Sequence, residues 1–408
     1  MTERLPSALA ATQYQRRWFA ELRASGVPIA LVNADAPQEI FRAMEIPYVV
    51  SQWWASIVAA KQRTADHLAL LAARGYPDHT EQYSSLSFAS SFGVDDPPWG
   101  GLPTPSVLLG EATGDVTRKI FEAWHEETGV PYYALESAAH DPVPERWWEL
   151  MPHDWEHTIG TPRLDLMQEE LVGLIRFLEM HTGRRFSETR FRRVMDLANE
   201  QAEWNRRTRD LIASARPCPV AVTDIVPSVM VPQWHRGTEW ARDAARTLYE
   251  EVAQRVGAGR GAGAERARLM WIGRGLWFDL GFYRRFEERY GAVFVWSMYL
   301  AIAADGYARY GPDPLRALAA RFAAFTDQLY TPPWSVEWYV HQARTHGVDG
   351  VVHLVSEDGR GSWFTTSALR AAGIPVLELR ADNVDSRGYD PDAAERTVGA
   401  WLTEQVTG

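Results

Sequence analysis

VDGVVHLVSEDGRGSW (348–363) places four apolar residues in five, Val351 to Val355, straight after an Asp-Gly turn and then breaks into charge and glycine. A short apolar run bounded by turn residues predicts a strand buried on both faces and ending in a polar loop. The pattern recurs in ARLMWIG (267–273), AVFVW (292–296) and PVLELRA (375–381) around it, and in VPIALVN (27–33), PSVLLGE (105–111) and VPYYALES (130–137) in the other half. YSSLSFAS (83–90) also reads as a strand end running into a turn. Apolar residues at helical spacing fill the intervals over 13–25, 40–44, 53–75 and 117–128. Strands alternating with helices predict an α/β fold in which parallel sheets carry helices on both faces.

The two halves are separated by a run without strands. LDLMQEELVGLIRFLEMHTG (164–183) carries a continuous apolar face and closes on Gly183, and Ser187 stands as N-cap of the charged amphipathic segment that follows. GAGRGAGAER (257–266) reads as a flexible linker. It precedes a strand, whereas a phosphate-binding glycine loop follows one and opens a helix. The expected organisation is a first α/β domain with an N-terminal helix over 1–160, a helical connector over 161–256 and a second α/β domain over 257–408. Ligands of open parallel sheets bind beyond the carboxyl ends of the strands, so the loops after those runs are the place to look for chemistry.

A formal net charge of -11 disfavours nucleic acid, whose phosphates call for clustered Lys and Arg. No eighteen apolar residues stand together and the first twenty hold no apolar run, so neither a membrane span nor a signal peptide is expected, and the cytoplasm is the expected location. The single cysteine, Cys218, lies between two prolines and reads as a turn residue. It cannot form an internal disulfide or supply the three or four thiolates of an iron–sulfur cluster.

Five segments in order resemble the subunits of 2-hydroxyacyl-CoA dehydratases and benzoyl-CoA reductases. They are PQEIFRAMEIPYV (37–49), LLGEATGDVTRKIFEAWHEETGVPYYAL (108–135), LVGLIRFLEMHTGRRFSETRFRRVMDLANE (171–200), HGVDGVVHLVSEDGRG (346–361) and AAGIPVLELRADNVDSRG (371–388). The resemblance implies two flavodoxin-like domains with a helical part, an acyl-CoA thioester as substrate, and a heterodimer or homodimer with a homologous subunit. It also implies a four-iron four-sulfur cluster on three cysteines of each typical subunit. Here the matching places hold Gly114, a position near Ser85 to Ser87, and a position near Gly359. Hydroxyl and glycine do not replace thiolate, so no cluster is expected in this chain and any such cluster is expected on a partner subunit.

The candidate residues follow from these loops. Glu39 is a candidate general base near the thioester, against its plain use as a carboxylate at a helix N-terminus. Ser85 and Ser87 suit a carbonyl or phosphate, against ordinary turn and capping serines. Glu357 is a candidate acid or base, Arg360 a candidate for a CoA phosphate or substrate carboxylate, and His353 a polar contact or else a satisfied core histidine. Asp115 follows the glycine at a cluster position, and Trp53 and Trp54 are candidates to stack on an aromatic ring or to pack the core. HDWEH (153–157) has metal-ligand spacing but no metal is expected there, since Pro152 points to a loop or helix start. The expected function is a cluster-free, acyl-CoA-binding subunit of a dehydratase-like lyase. The alternatives are a redox-independent lyase or hydratase working by general acid–base catalysis, and a non-catalytic scaffold. General acid–base catalysis typically contributes about 10²–10⁴-fold, enough for an activated α-proton but not for an unactivated β-proton. A chain acting alone would therefore take a 3-hydroxyacyl or otherwise acidified thioester.

Overall fold

A computed structural model describes residues 4–79, 81–111, 115–136, 145–330, 334–355 and 362–406. Its strands are β1 (Ile29–Val32), β2 (Tyr48–Val50), β3 (Pro105–Glu111), β4 (Tyr132–Leu135), β5 (Ala267–Ile272), β6 (Ala292–Ser297), β7 (Gly350–Val355) and β8 (Val376–Arg380). They form two four-stranded, wholly parallel sheets, ordered β2-β1-β3-β4 and β6-β5-β7-β8. Both are the expected α/β architecture, and in both the chain reverses direction of growth beside the first strand, between β1 and β3 and between β5 and β7. Every residue of β1, β5, β6 and β7 is buried, as the uninterrupted apolar runs require of a central parallel strand.

Long helices lie between the sheets in sequence: Thr161–Thr182, Glu188–Ser214, Val222–Trp234 and Glu239–Gly257. The first stops at Gly183, whose φ of 68° is the left-handed conformation a C-terminal cap needs. The second starts where the Ser187 hydroxyl accepts the Arg190 N–H. The largest apolar cluster runs unbroken from the N-terminal helix Pro6–Ser25 through β1 and β3 to Met270 on β5 and Val351 on β7, so the helices weld the two sheets together.

Two local readings are corrected and one strand is added. Residues 83–90 are not a strand but the core of the helix Gln82–Ser90. Its N-terminus is capped by the Glu81 carboxylate, which accepts the Ser84 N–H at 2.7 Å, and Ser85 and Ser90 satisfy their hydroxyls on carbonyls four residues back. Serines folded back in this way sit inside a helix without exposing a polar face. The three-residue β2 has no alternation long enough to reveal it. The glycine-rich 257–266 segment is pinned rather than loose, since the Ala262 N–H donates to the Cys218 carbonyl at 2.7 Å and Gly261 packs on Pro217.

Two buried histidines make the fold acid-sensitive. Burial pushes His346 down to about 3 and His353 down to about 4, so both stay neutral in the folded chain. Unfolded histidines bind protons below about pH 6.5. Unfolding therefore takes up protons between that value and about 4, and stability falls as pH drops through this window. Buried His67 and His235 are lowered as well and act in the same direction against the raised carboxyls of Asp35 and Glu287, so urea midpoints measured at pH 7.5, 6 and 5 are expected to decline in that order; a flat or rising series would contradict it.

Candidate functional site

The loop after β1, NADAPQE (33–39), carries two carboxylates four residues apart, and the structure treats them oppositely. Glu39, on the helix Gln38–Ala43, has no exposed surface. It accepts Arg236 Nε at 2.8 Å on Oε1 and grips Arg321 through both oxygens, at 2.6 Å each. Burial alone would raise its pKa, but the two guanidinium charges overcome that and bring it down to about 2. A base held so far below the working pH and shut away from solvent takes no proton from a substrate. The expected role of Glu39 as general base is thus replaced by that of an internal anchor: Arg236 also donates to the Ala36 carbonyl at 2.6 Å, and both guanidinia lie over the Tyr307 ring, 4.9 and 5.2 Å from its centroid.

Asp35, missed in the sequence, lines a cavity of about 100 Å³ between the carboxyl ends of the two sheets. Its surroundings come from both halves: Gln52 and Tyr83 from the first, Arg274 from the loop after β5, Met298, Tyr299 and Tyr307 beyond β6, and Arg236 from the helical connector. Burial raises the Asp35 carboxyl to about 6 against the lowering pull of Arg236, Arg274 and Arg321. The Arg274 guanidinium is held by Glu81 at 2.9 Å and lies 5.0 Å over the Tyr83 ring. Tyr299 accepts the Gly275 N–H at 2.7 Å. Burial pushes the phenols of Tyr83, Tyr299 and Tyr307 upward, so they remain protonated donors.

Met230 and Trp234 wall this cavity on one side and a larger passage of about 540 Å³ on the other. Trp53, Val231, Trp277 and Leu280 add to the apolar lining of the passage, while Arg4, Arg16, Lys61 and Arg284 supply charge. No carboxylate lines it among the described residues. Arg4 and Arg284 share one buried partner, Asp224, at 3.3 and 3.5 Å, so the wall keeps an excess of positive charge in a chain whose net charge is -11.

The other sequence candidates fare unequally. Trp53 faces the passage, but Trp54 is wholly buried and donates its Nε1–H to Ser90 at 2.7 Å, which makes it core. The Ser85 and Ser87 hydroxyls are buried and donate to the Glu81 and Ser51 carbonyls, so neither is turned toward a substrate. His353 is a satisfied core histidine: its Nδ1 meets the Thr366 hydroxyl at 3.0 Å beneath the helix Ser362–Ala371. Asp115 opens the helix Asp115–Thr128, though its side chain, like Glu357 and Arg360, lies outside the described residues. His153 precedes the helix Trp155–Ile159 and stacks on Tyr310, 4.7 Å between centroids, so His153 and His157 do not share a helix face.

The family model described as 2-hydroxyglutaryl-CoA dehydratase, D-component, matches residues 33–400. The chain belongs to this family. Among curated proteins it is similar to the (R)-phenyllactyl-CoA dehydratase alpha subunit of Clostridium sporogenes, 23% identical over 63% of this chain and 60% of that one. It is also similar to the (R)-2-hydroxyisocaproyl-CoA dehydratase alpha subunit of Clostridioides difficile, 22% identical over 71% and 68% of the two chains. The lactoyl-CoA dehydratase subunit alpha of Anaerotignum propionicum is 21% identical over 93% and 91%. The match to the first of these spans about three fifths of its length. Among the described residues, no helix is long and apolar enough to cross a membrane.

The anchor makes a sharp prediction. Removing one partner of a buried ion pair strands the others and costs about 3–5 kcal/mol. Glu39→Gln, which leaves Arg236 and Arg321 without their carboxylate, is expected to lower the unfolding free energy by about that amount in a denaturant titration at pH 7. A variant as stable as the parent would return Glu39 to the list of catalytic candidates.

Proposed function

We propose that this chain is the acyl-CoA-binding subunit of a dehydratase-type lyase complex, that it carries no iron–sulfur cluster of its own, and that it works beside a homologous subunit. The observation that carries the reading is the passage. Coenzyme A has an anionic diphosphate and 3′-phosphate at one end, a long neutral pantetheine arm, and the reacting thioester at the other. The passage brings cations at Arg4, Arg16, Lys61 and Arg284 together with an apolar tryptophan-lined body, and shares Met230 and Trp234 with a small polar cavity. Arginine is suited to phosphate by its planar set of donors, and lysine by its point charge. Two of the cations, Arg4 and Arg16, precede the family-matched span, which starts at residue 33.

The donor set does not fit a cluster. Cys218 is buried, its thiol is pushed up to about 11 by that burial, and its Sγ lies 3.2 Å from the Val220 carbonyl. A protonated core thiol of this kind is no iron ligand, and one thiolate would not suffice. The partner belongs to the proposal because the relatives are named as alpha subunits of acyl-CoA dehydratases. A homologous second subunit would supply whatever redox chemistry the complex performs.

Binding of a CoA ester to the purified chain, followed by calorimetry, tests the reading. Arg16→Glu and Lys61→Glu are each expected to weaken binding roughly tenfold, about 1.4 kcal/mol. The loss should shrink as salt is raised, because exposed charge is screened within about 10 Å at 0.1 M. Affinity that ignores both substitutions would place the coenzyme elsewhere.

A further inference from the structure

The two carboxylates of the β1 loop differ in one decisive respect. Glu39 is spent on two guanidinia, whereas Asp35 makes no side-chain hydrogen bond among the described residues and lines the cavity that shares Met230 and Trp234 with the passage. The same cavity is lined by two groups fit to hold negative charge on oxygen. The Tyr299 hydroxyl accepts the Gly275 N–H at 2.7 Å, which leaves its own O–H to be donated toward the cavity it lines. Arg274, oriented by Glu81 at 2.9 Å, brings a cation to the same wall. Of the two carboxylates only Asp35 lines a cavity, and burial raises it toward the working pH, as a residue that both takes and returns a proton requires.

We propose that Asp35 is the proton-transfer residue of this chain, with Tyr299 and Arg274 as its oxyanion site, and that together they dehydrate a 3-hydroxyacyl-CoA without electron transfer. The inference rests on the passage holding the CoA moiety, and adds to it the reaction and the acyl class. Asp35 takes the proton from C2 of the thioester, and the C–H electron pair moves into an enolate whose oxygen faces Tyr299 and Arg274. That pair then forms the C2=C3 double bond as the C3–O bond breaks. The hydroxyl leaves with its bonding pair and receives the proton back from Asp35, giving water and the enoyl-CoA. Nothing is oxidised or reduced. The C2 proton is activated by the adjacent thioester carbonyl, so the step needs only what a positioned carboxylate and two donors supply. A cavity of about 100 Å³ suits a short acyl chain.

The groups facing Asp35 set the pH profile: Arg236 and Arg321 with Glu39 behind it, Arg274 with Glu81 ahead, and the neutral phenols of Tyr83, Tyr299 and Tyr307 around it. Since the base form is active, kcat/KM is expected to rise with pH to a plateau above about 6.

The test uses the full chain purified in air, with 3-hydroxybutyryl-CoA as probe, following the enoyl-thioester absorbance and, in D₂O, deuterium at C2. Product should form irrespective of iron content. Asp35→Asn is expected to lose about 10²–10⁴-fold in kcat, and Tyr299→Phe about 10²–10³-fold with little change in KM. Asp35→Glu should recover part of the rate with a shifted pH profile, which a merely structural aspartate would not do. If the ester binds but neither product nor exchange appears, or if both variants stay within threefold of the parent, this inference fails while the passage reading stands. Activity that tracks bound iron overturns it as well. Absence of binding overturns both.

Discussion

The buried contact of one carboxylate with two guanidinia, Glu39 with Arg236 and Arg321, is the constraint on which the rest of the site depends. The three side chains come from the loop after β1, the end of the helix Val222–Trp234 and the helix Pro314–Tyr330, separated by 197 and 282 residues. Their geometry fixes where the first sheet stands relative to the helical connector and the second half of the chain. The cluster also carries one positive charge more than Glu39 can balance, and Asp35 is a second carboxylate within the field of both arginines. An acid at that point feels opposed influences, burial favouring its neutral form and three arginines its charged form. The same arrangement that welds the fold leaves a carboxylate tuned near neutrality at the cleft.

The sheets were legible because central parallel strands demand continuous apolar runs, and ALV, ARLMWI and VVHLV announce themselves. The capped helix Glu188–Ser214 was legible from Ser187. The helix Gln82–Ser90 was hidden because its serines hydrogen-bond within the helix or to Ser51, a pattern that composition cannot distinguish from a turn. The roles of Asp35 and Glu39 were not legible either. Both stand in one seven-residue loop, and what divides them is the pair of arginines that reaches Glu39 from far along the chain. Local sequence shows that a carboxylate is near the site; only long-range packing says which one is spent.

The same limit applies to charge. A chain with a net charge of -11 gives no sign of a basic channel, since the sum averages over surfaces that never meet. Arg4 and Arg16 on the N-terminal segment, Lys61 and Arg284 come from three separate segments, and the first two reach the passage because the N-terminal helix packs on the helix Val222–Trp234. Each cation alone is an ordinary surface residue. Set around an apolar passage without an opposing carboxylate, they produce a local field of the sign a phosphate needs.

The groups gathered in the cleft, rather than the parallel-sheet scaffold, determine what chemistry it can host. The cavity gathers one carboxylate, Asp35, with phenols and guanidinia at the strand ends, which are the parts of acid–base catalysis. Those parts can remove a proton acidified by a thioester carbonyl and cannot remove one two bonds further away. In the proposed reaction the position of the substrate hydroxyl therefore decides whether a redox partner is needed: beside an acidic C2 proton, a hydroxyl at C3 can leave by proton transfer alone, whereas a hydroxyl at C2 cannot.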